Sequence, residues 1–126
     1  MSESVPPSDI RIRKKSRLLR LEYLDGTCHE LPFELLRVYS PSAEVRGHGS
    51  GLGTLQTGKR DVLISDAAMV GNYAVKLTFS DGHDSGIFSW SYLREMGDQQ
   101  EKFWQDYLER LERENGSRDP QDVRRF

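Results

Sequence analysis

The chain is short of the residues that staple or anchor a protein. Cys28 is the only cysteine among 126 residues, so no internal disulfide can form and no Cys-x-x-Cys metal knuckle exists. No apolar run approaches the ~20 residues that cross a bilayer, so no membrane role is expected. The opening MSESVPPSDI lacks the apolar core of a secretion signal, and the cytoplasm is the expected compartment. An excess of one charge is missing too. Eighteen Lys and Arg face twenty Asp and Glu, a net charge of -2, which advertises neither a nucleic-acid nor a membrane surface. What is present is 36% hydrophobic and 30% charged, the composition of one ordinary globular domain.

The pattern along the chain is a repeated unit. Residues 1–10 are polar, carry Pro6-Pro7 and read as a disordered arm. RIRKKSRLLR, residues 11–20, holds six of the eighteen basic residues, and its first half reads as a mobile basic arm. From Leu19 the chain alternates. Leu19, Leu21 and Tyr23 point one way and Arg20 and Glu22 the other, as in a half-buried strand. Asp25-Gly26 predicts a two-residue hairpin turn, TCHEL the return strand, and Pro32 the first turn of a short helix, PFELLR. The order recurs. YAVKLTF alternates, Asp81-Gly82 turns, HDSGIF returns, Ser89 caps the helix WSYLREM, and Gly97 ends it. Placing one turn on the other puts Leu19 on Val75, Arg20 on Lys76, Leu21 on Leu77 and Tyr23 on Phe79. One added residue then puts Phe33 on Trp90, Leu36 on Leu93 and Arg37 on Arg94. Neither hairpin is expected to stand alone.

Between the units, VYSPSAEVRGHGSGLGTLQTGKR carries five glycines and reads as loop. Further strand is expected around Val62–Ile64 and Ala67–Val70. The tail DQQEKFWQDYLERLEREN predicts an amphipathic helix over 98–116. Its apolar face is Phe103, Trp104, Tyr107, Leu108 and Leu111. Asp98 and Glu101 have capping-box spacing, Gly116 suits the C-terminal cap, and residues 117–126 read as a frayed tail. The fold class is α+β: a small, mostly antiparallel β core built from two hairpin–helix units, plus a C-terminal amphipathic helix.

Each candidate chemistry meets a plainer alternative. Cys28, His29, His48 and His83 could count as four zinc ligands. Cys28 and His29, however, are strand neighbours that point to opposite faces, which also weighs against a thiol–imidazole pair. A two-histidine, one-carboxylate site from His48, Asp81 and His83 competes with the role of Asp81 in a turn. No nucleophile elbow or triad setting is present, so no catalytic residue is assigned. GHGSGLGTLQTGKR lacks Walker spacing, and Gly58-Lys59 is followed by Arg60 rather than Ser or Thr. Lys59, Arg60, Arg46 and His48 nonetheless could meet an anion, and His83, Asp81, Arg46 and His48 are the candidate ligand-binding set. The basic arm lacks interleaved aromatics for stacking on bases and reads as solvated rather than as a nucleic-acid binder. Phe103, Trp104 and Tyr107 would serve a partner protein if the tail helix left the domain, and would pack at home otherwise.

LPFELLRVYSPSAEVRGHG, TGKRDVLI and VGNYAVKLTFSDGHDSGIFSWSYLREMG together resemble the domain-of-unknown-function 971 family. That family is related to the N-terminal domain of gamma-butyrobetaine hydroxylases. The resemblance spans about Arg11 to Gly97, with Leu36-Arg37 and Asp81-x-His83-x-Ser85 as landmarks. The tail helix is similar to the extension of short stand-alone members. In the hydroxylases the domain holds zinc through three cysteines and one histidine. By position these fall on Ser40, Ser42, Val45 and His83. Three thiolates are thus replaced by groups that bind zinc poorly or not at all. The resemblance therefore implies a metal-free, cofactor-free version of the domain, with His83 close to the Ser40–Val45 loop. The oxygenase iron belongs to a separate jelly-roll domain and is not implied. Related domains fused to P-loop carriers suggest an accessory role in iron–sulfur or redox-cofactor handling, an analogy of fold and company. The expectation is a non-catalytic adaptor for a protein partner. A ligand-binding or enzymatic pocket near His83 is the alternative, and nucleic-acid binding through the arm a second one.

Overall fold

The computed structural model describes residues 6–40, 57–82 and 86–119. Within them the chain runs twice through three strands and a helix. The first unit is β1 (Asp9–Arg13), β2 (Leu18–Glu22), β3 (Cys28–Pro32) and α1 (Phe33–Val38). The second is β4 (Ile64–Val70), β5 (Ala74–Phe79), β6 (Gly86–Ser89) and α2 (Trp90–Asp98), followed by α3 (Gln100–Arg113). Each triplet is its own antiparallel meander, β1-β2-β3 and β4-β5-β6, so the α+β class stands.

The equivalences hold at the level of burial. Leu19, Leu21 and Tyr23 of the first unit and Val75, Leu77 and Phe79 of the second all lie inside, with Phe33, Leu36, Trp90 and Leu93. All ten belong to one core cluster. Burying each such side chain contributes roughly 1.5–3 kcal/mol, which neither meander could collect without the other. The strand-to-helix joints match as well. Phe33 N–H donates to Arg17 O at 2.9 Å, and Trp90 N–H donates to Tyr73 O at 3.1 Å.

Several local expectations are corrected. β1 occupies part of what reads as arm. Ile10 pairs with Leu21 and Ile12 with Leu19, and both isoleucines pack on the core. DIRIR alternates, but its charges mask the period of two. The first turn is not a two-residue turn. Tyr23 N–H bonds Thr27 O, and Gly26 N–H bonds Tyr23 O, enclosing Leu24, Asp25 and Gly26. Only the glycine turns left-handed, at φ 90°, the pattern of a type I turn closed by a glycine bulge. Gly82 of the second turn is left-handed too, at φ 94°, and the residues that follow it in that turn lie outside the described residues. Val62 precedes the strand rather than joining it. β4 is one edge strand, with its register shifted between Ile64 and Asp66.

Pro32 closes β3 in extended conformation, and the helix begins after it. Ser89 does cap α2, its Oγ accepting from Tyr92 N–H. Gly97 does not end that helix, which continues to Asp98. Asp98 is no cap for α3 either: Gln99 holds the N-cap position without a side-chain bond, and Asp98 turns to His29 and Arg94. At the far end Asn115, not Gly116, takes the left-handed position at φ 58°. Gly116 N–H then reaches back to Leu111 O at 2.8 Å, a Schellman closure.

Candidate functional site at the junction of the two units

The last turn of α1 places Arg37 against the turn of the other unit. Its Nε donates to Asp81 Oδ2 at 2.9 Å, and its guanidinium lies 5.9 Å from the Phe79 ring centroid. Lys59 Nζ donates to the same Asp81 oxygen at 2.7 Å. The Arg37 side chain is 8% exposed and Asp81 20%, so water screens this cluster little. Arg37 Nη1 is buried and has no hydrogen-bond partner among the described residues.

α2 repeats the gesture in the opposite direction. Arg94 reaches Asp25 Oδ2 at 3.4 Å and Thr27 Oγ1 at 3.3 Å, with its guanidinium 4.7 Å from the Tyr23 ring centroid. Each helix arginine thus grips the Asp-Gly turn of the other unit and lies over the aromatic before it. The two grips differ in quality. Arg94 is one-third exposed, with long bonds. Asp25 is held below the ordinary carboxylate range chiefly by the Thr27 backbone N–H, so Arg94 is a minor influence there.

A second reciprocal contact lies beside each grip. Ser40, just after α1, is fully buried, and its Oγ fills the space where a Cβ on Gly86 would stand. In the opposite sense the His29 ring fills that space at Gly97. His29 pairs with Leu21 and Gly86 with Leu77, so these strand positions are equivalent. The two joints share one geometry with glycine on opposite sides. His29 Nε2 sits 3.0 Å from Asp98 Oδ1, tying β3 to the end of α2.

Of the expected ligand set, Asp81 stands in the junction. His83, Arg46 and His48 lie outside the described residues, as do Ser42 and Val45, and with them the expected proximity of His83 to the Ser40–Val45 loop. Ser40 itself abuts β6 through Gly86. Among the described residues no three His, Cys, Asp or Glu side chains gather as metal ligands would. Cys28 is exposed. α3 packs on its own domain. Phe103 contacts Tyr39 edge-on at 4.9 Å between ring centroids, Tyr107 is buried, and Trp104 packs against both apolar clusters. Arg37 was absent from the expected set, and Lys59 was named only among residues that could meet an anion. The signal for Arg37 was its equivalence to Arg94, a polar match beside the apolar pairs Phe33/Trp90 and Leu36/Leu93.

Two interlocked β-β-β-α units, each clamped by the other's helix arginine, define a small paired-repeat α+β domain. A model of the gamma-butyrobetaine hydroxylase-like N-terminal family matches residues 10–94, and the chain belongs to that family. An NMR solution structure similar to it shares 44% identity over 98% of both chains, with a TM-score of 0.81. A second NMR structure shares 42% identity, covering 100% of this chain and 94% of the other, also at 0.81. A crystal structure of a DUF971-family protein of unknown function from Acidithiobacillus ferrooxidans is 41% identical. It covers 72% of this chain and 91% of its own, at 0.62. No curated protein matches.

Proposed function

We propose that the chain is a non-catalytic binding module that holds an anionic group of a protein partner at the Arg37–Lys59–Asp81 junction. The observation that carries this reading is Arg37 Nη1, buried and unpaired among the described residues, beside a carboxylate shared by two cations. A buried donor without a partner costs about 1–3 kcal/mol. An incoming carboxylate or phosphate oxygen would remove that cost and answer the surplus positive charge. A guanidinium keeps its proton at any working pH, so it suits holding an anion rather than moving a proton. Arg46, His48 and His83, the other expected ligands, lie outside the described residues and carry no part of this reading. An adaptor role beside iron–sulfur or redox-cofactor proteins is compatible with such a site, and rests on the family resemblance.

The test is a titration with inorganic phosphate and with a short acidic peptide, followed by NMR of the Arg37 and Lys59 side chains. Saturable shifts at both, lost in a folded Arg37→Met variant, are expected. A chain that responds to neither probe sinks the proposal. Affinity capture of the native chain, with metal measured on the same sample, addresses the cofactor-handling role. Enrichment of iron–sulfur proteins by wild type but not by Arg37→Met is the outcome it requires.

A further inference from the structure

The segment after α3, expected to fray, is pinned as far as Asp119. Gly58 N–H donates to Ser117 O at 2.9 Å and Arg60 N–H to Arg118 O at 3.0 Å, two backbone bonds that hold the segment. Beside them the Arg118 side chain turns inward. Its Nε and Nη2 donate to the two oxygens of Glu34 at 2.9 and 2.8 Å, and its guanidinium lies 4.9 Å from the Trp104 ring centroid. The Glu34 side chain is only 7% exposed. A buried carboxylate, an aromatic face and two backbone N–H groups make a receptor for one arginine and the backbone beside it.

Two features separate this receptor from a plain structural tie. The strap Asn115–Asp119 contributes no apolar side chain, so polar and cation–π contacts hold it, and lifting it would leave the Glu34 carboxylate without its arginine and in need of another cation. The groove also continues past Arg118. It opens into a cleft of about 600 Å³ lined by Pro32, Leu35, Asp98 and Glu101, more than one guanidinium fills. Asp98 is already paired with His29 and Arg94, so Glu101 carries the bias toward a cationic occupant.

We infer that the Glu34–Trp104 groove is a recognition site for an arginine-bearing segment of a partner protein, kept closed in cis by Arg118. This inference is argued from contacts other than those that carry the anion-junction proposal. When the strap leaves, the incoming arginine takes the Glu34 fork and the Trp104 face. Its flanking backbone takes the Gly58 and Arg60 N–H groups, and its next residues lie along Asp98 and Glu101.

The experiment titrates the full chain and its Arg118→Ala variant with an acetylated, amidated Gly-Ser-Arg-Asp peptide, reading the Trp104 indole by NMR. Saturable binding to the variant is expected, at least ~10-fold tighter than to wild type, because the strap competes in cis. A lysine-for-arginine peptide should bind the variant about 10-fold more weakly, lacking the bidentate fork. Adding Glu34→Gln should abolish the response. No saturable shift in the folded variant, equal affinity in wild type and variant, or equal binding of the two peptides overturns the inference. So does a variant that dimerises by exchanging tails and leaves the groove closed to peptide. If Arg118→Ala melts too low to titrate, the readout becomes its thermal midpoint. A rise with the arginine peptide and none with the lysine peptide supports the site, and no rise overturns it.

Discussion

Gly86 and Gly97 show how much a single missing Cβ carries. Neither takes a left-handed φ, so conformational freedom is not the reason for glycine. Each is needed because a side chain from the other unit occupies the vacant volume, Ser40 Oγ at one and the His29 ring at the other. Gly97→Ala would gain about 1 kcal/mol of helix propensity, yet it must displace a ring held between Asp98 and Tyr23. Overpacking of that kind costs about 1–3 kcal/mol, so the steric effect wins. Chemical denaturation should show Gly86→Ala destabilised by about 1–3 kcal/mol and Gly97→Ala, after its propensity gain, by up to about 2 kcal/mol. Gly97→Ala should recover most of its loss when His29→Ala is added. A Gly97→Ala variant more stable than wild type would refute this packing account. From the sequence Gly97 looks like a helix terminator, because propensity registers a glycine without the neighbour that requires it. Ser40 was legible only by position, and its burial against Gly86 depends on a contact between residues far apart in the chain.

At the scale of elements, the crossed arginine grips decide how the units are held together. Arg37 and Arg94 occupy equivalent helix positions and reach equivalent turn aspartates, but burial separates their energetics. A pair shielded from water with a short bond couples strongly when one partner is removed, whereas exposed pairs contribute about 0–1 kcal/mol. A double-mutant cycle on Arg37 and Asp81 should give a coupling of about 1–3 kcal/mol. The cycle on Arg94 and Asp25 should stay below about 0.5 kcal/mol. Equal couplings would mean that Lys59 and burial make no difference. The repeat behind this comparison was legible because turn chemistry and alternation agree in both units. Its third strand was legible in one unit only. Strand was expected where β4 lies, though not as part of the repeat, whereas β1 hides its two isoleucines among charges. The turn length escaped for another reason. Asp-Gly marks a turn, but the register of the flanking strands decides whether two residues or three close it.

For the whole molecule, a seam of tyrosines joins all three helices. Tyr92 O–H donates to Tyr39 O at 2.6 Å, and Tyr39 O–H donates to Phe103 O at 2.8 Å. Tyr107 is buried with Val38 and Leu111. Burial pushes Tyr39 and Tyr107 up to about 12 and Tyr92 further still. In the unfolded chain phenols titrate near ~10. A folded-state value above the unfolded one means the stabilisation is complete below about pH 10 and is lost as pH climbs through about 12. The thermal midpoint should therefore fall across that window, with phenolate absorbance rising at unfolding. Phenolate from these three tyrosines near pH 10 in a still-folded chain would contradict the seam. The same burial leaves the phenols as neutral donors near pH 7, unable to supply a base.

Residues Gly58 to Arg60 carry a consequence for how the molecule could respond to its surroundings. The backbone groups of Gly58 and Arg60 face the strap, while the ammonium of Lys59, between them, reaches Asp81. Three consecutive residues therefore belong to two sites at once. If both proposed sites bind, freeing the strap would loosen the segment that aims Lys59, and an anion fixed on Lys59 would steady the segment on which the strap rests. Thermodynamic reciprocity would then require both effects to have the same size. The short run Gly-Lys-Arg would be the wire between two ports of one small switch.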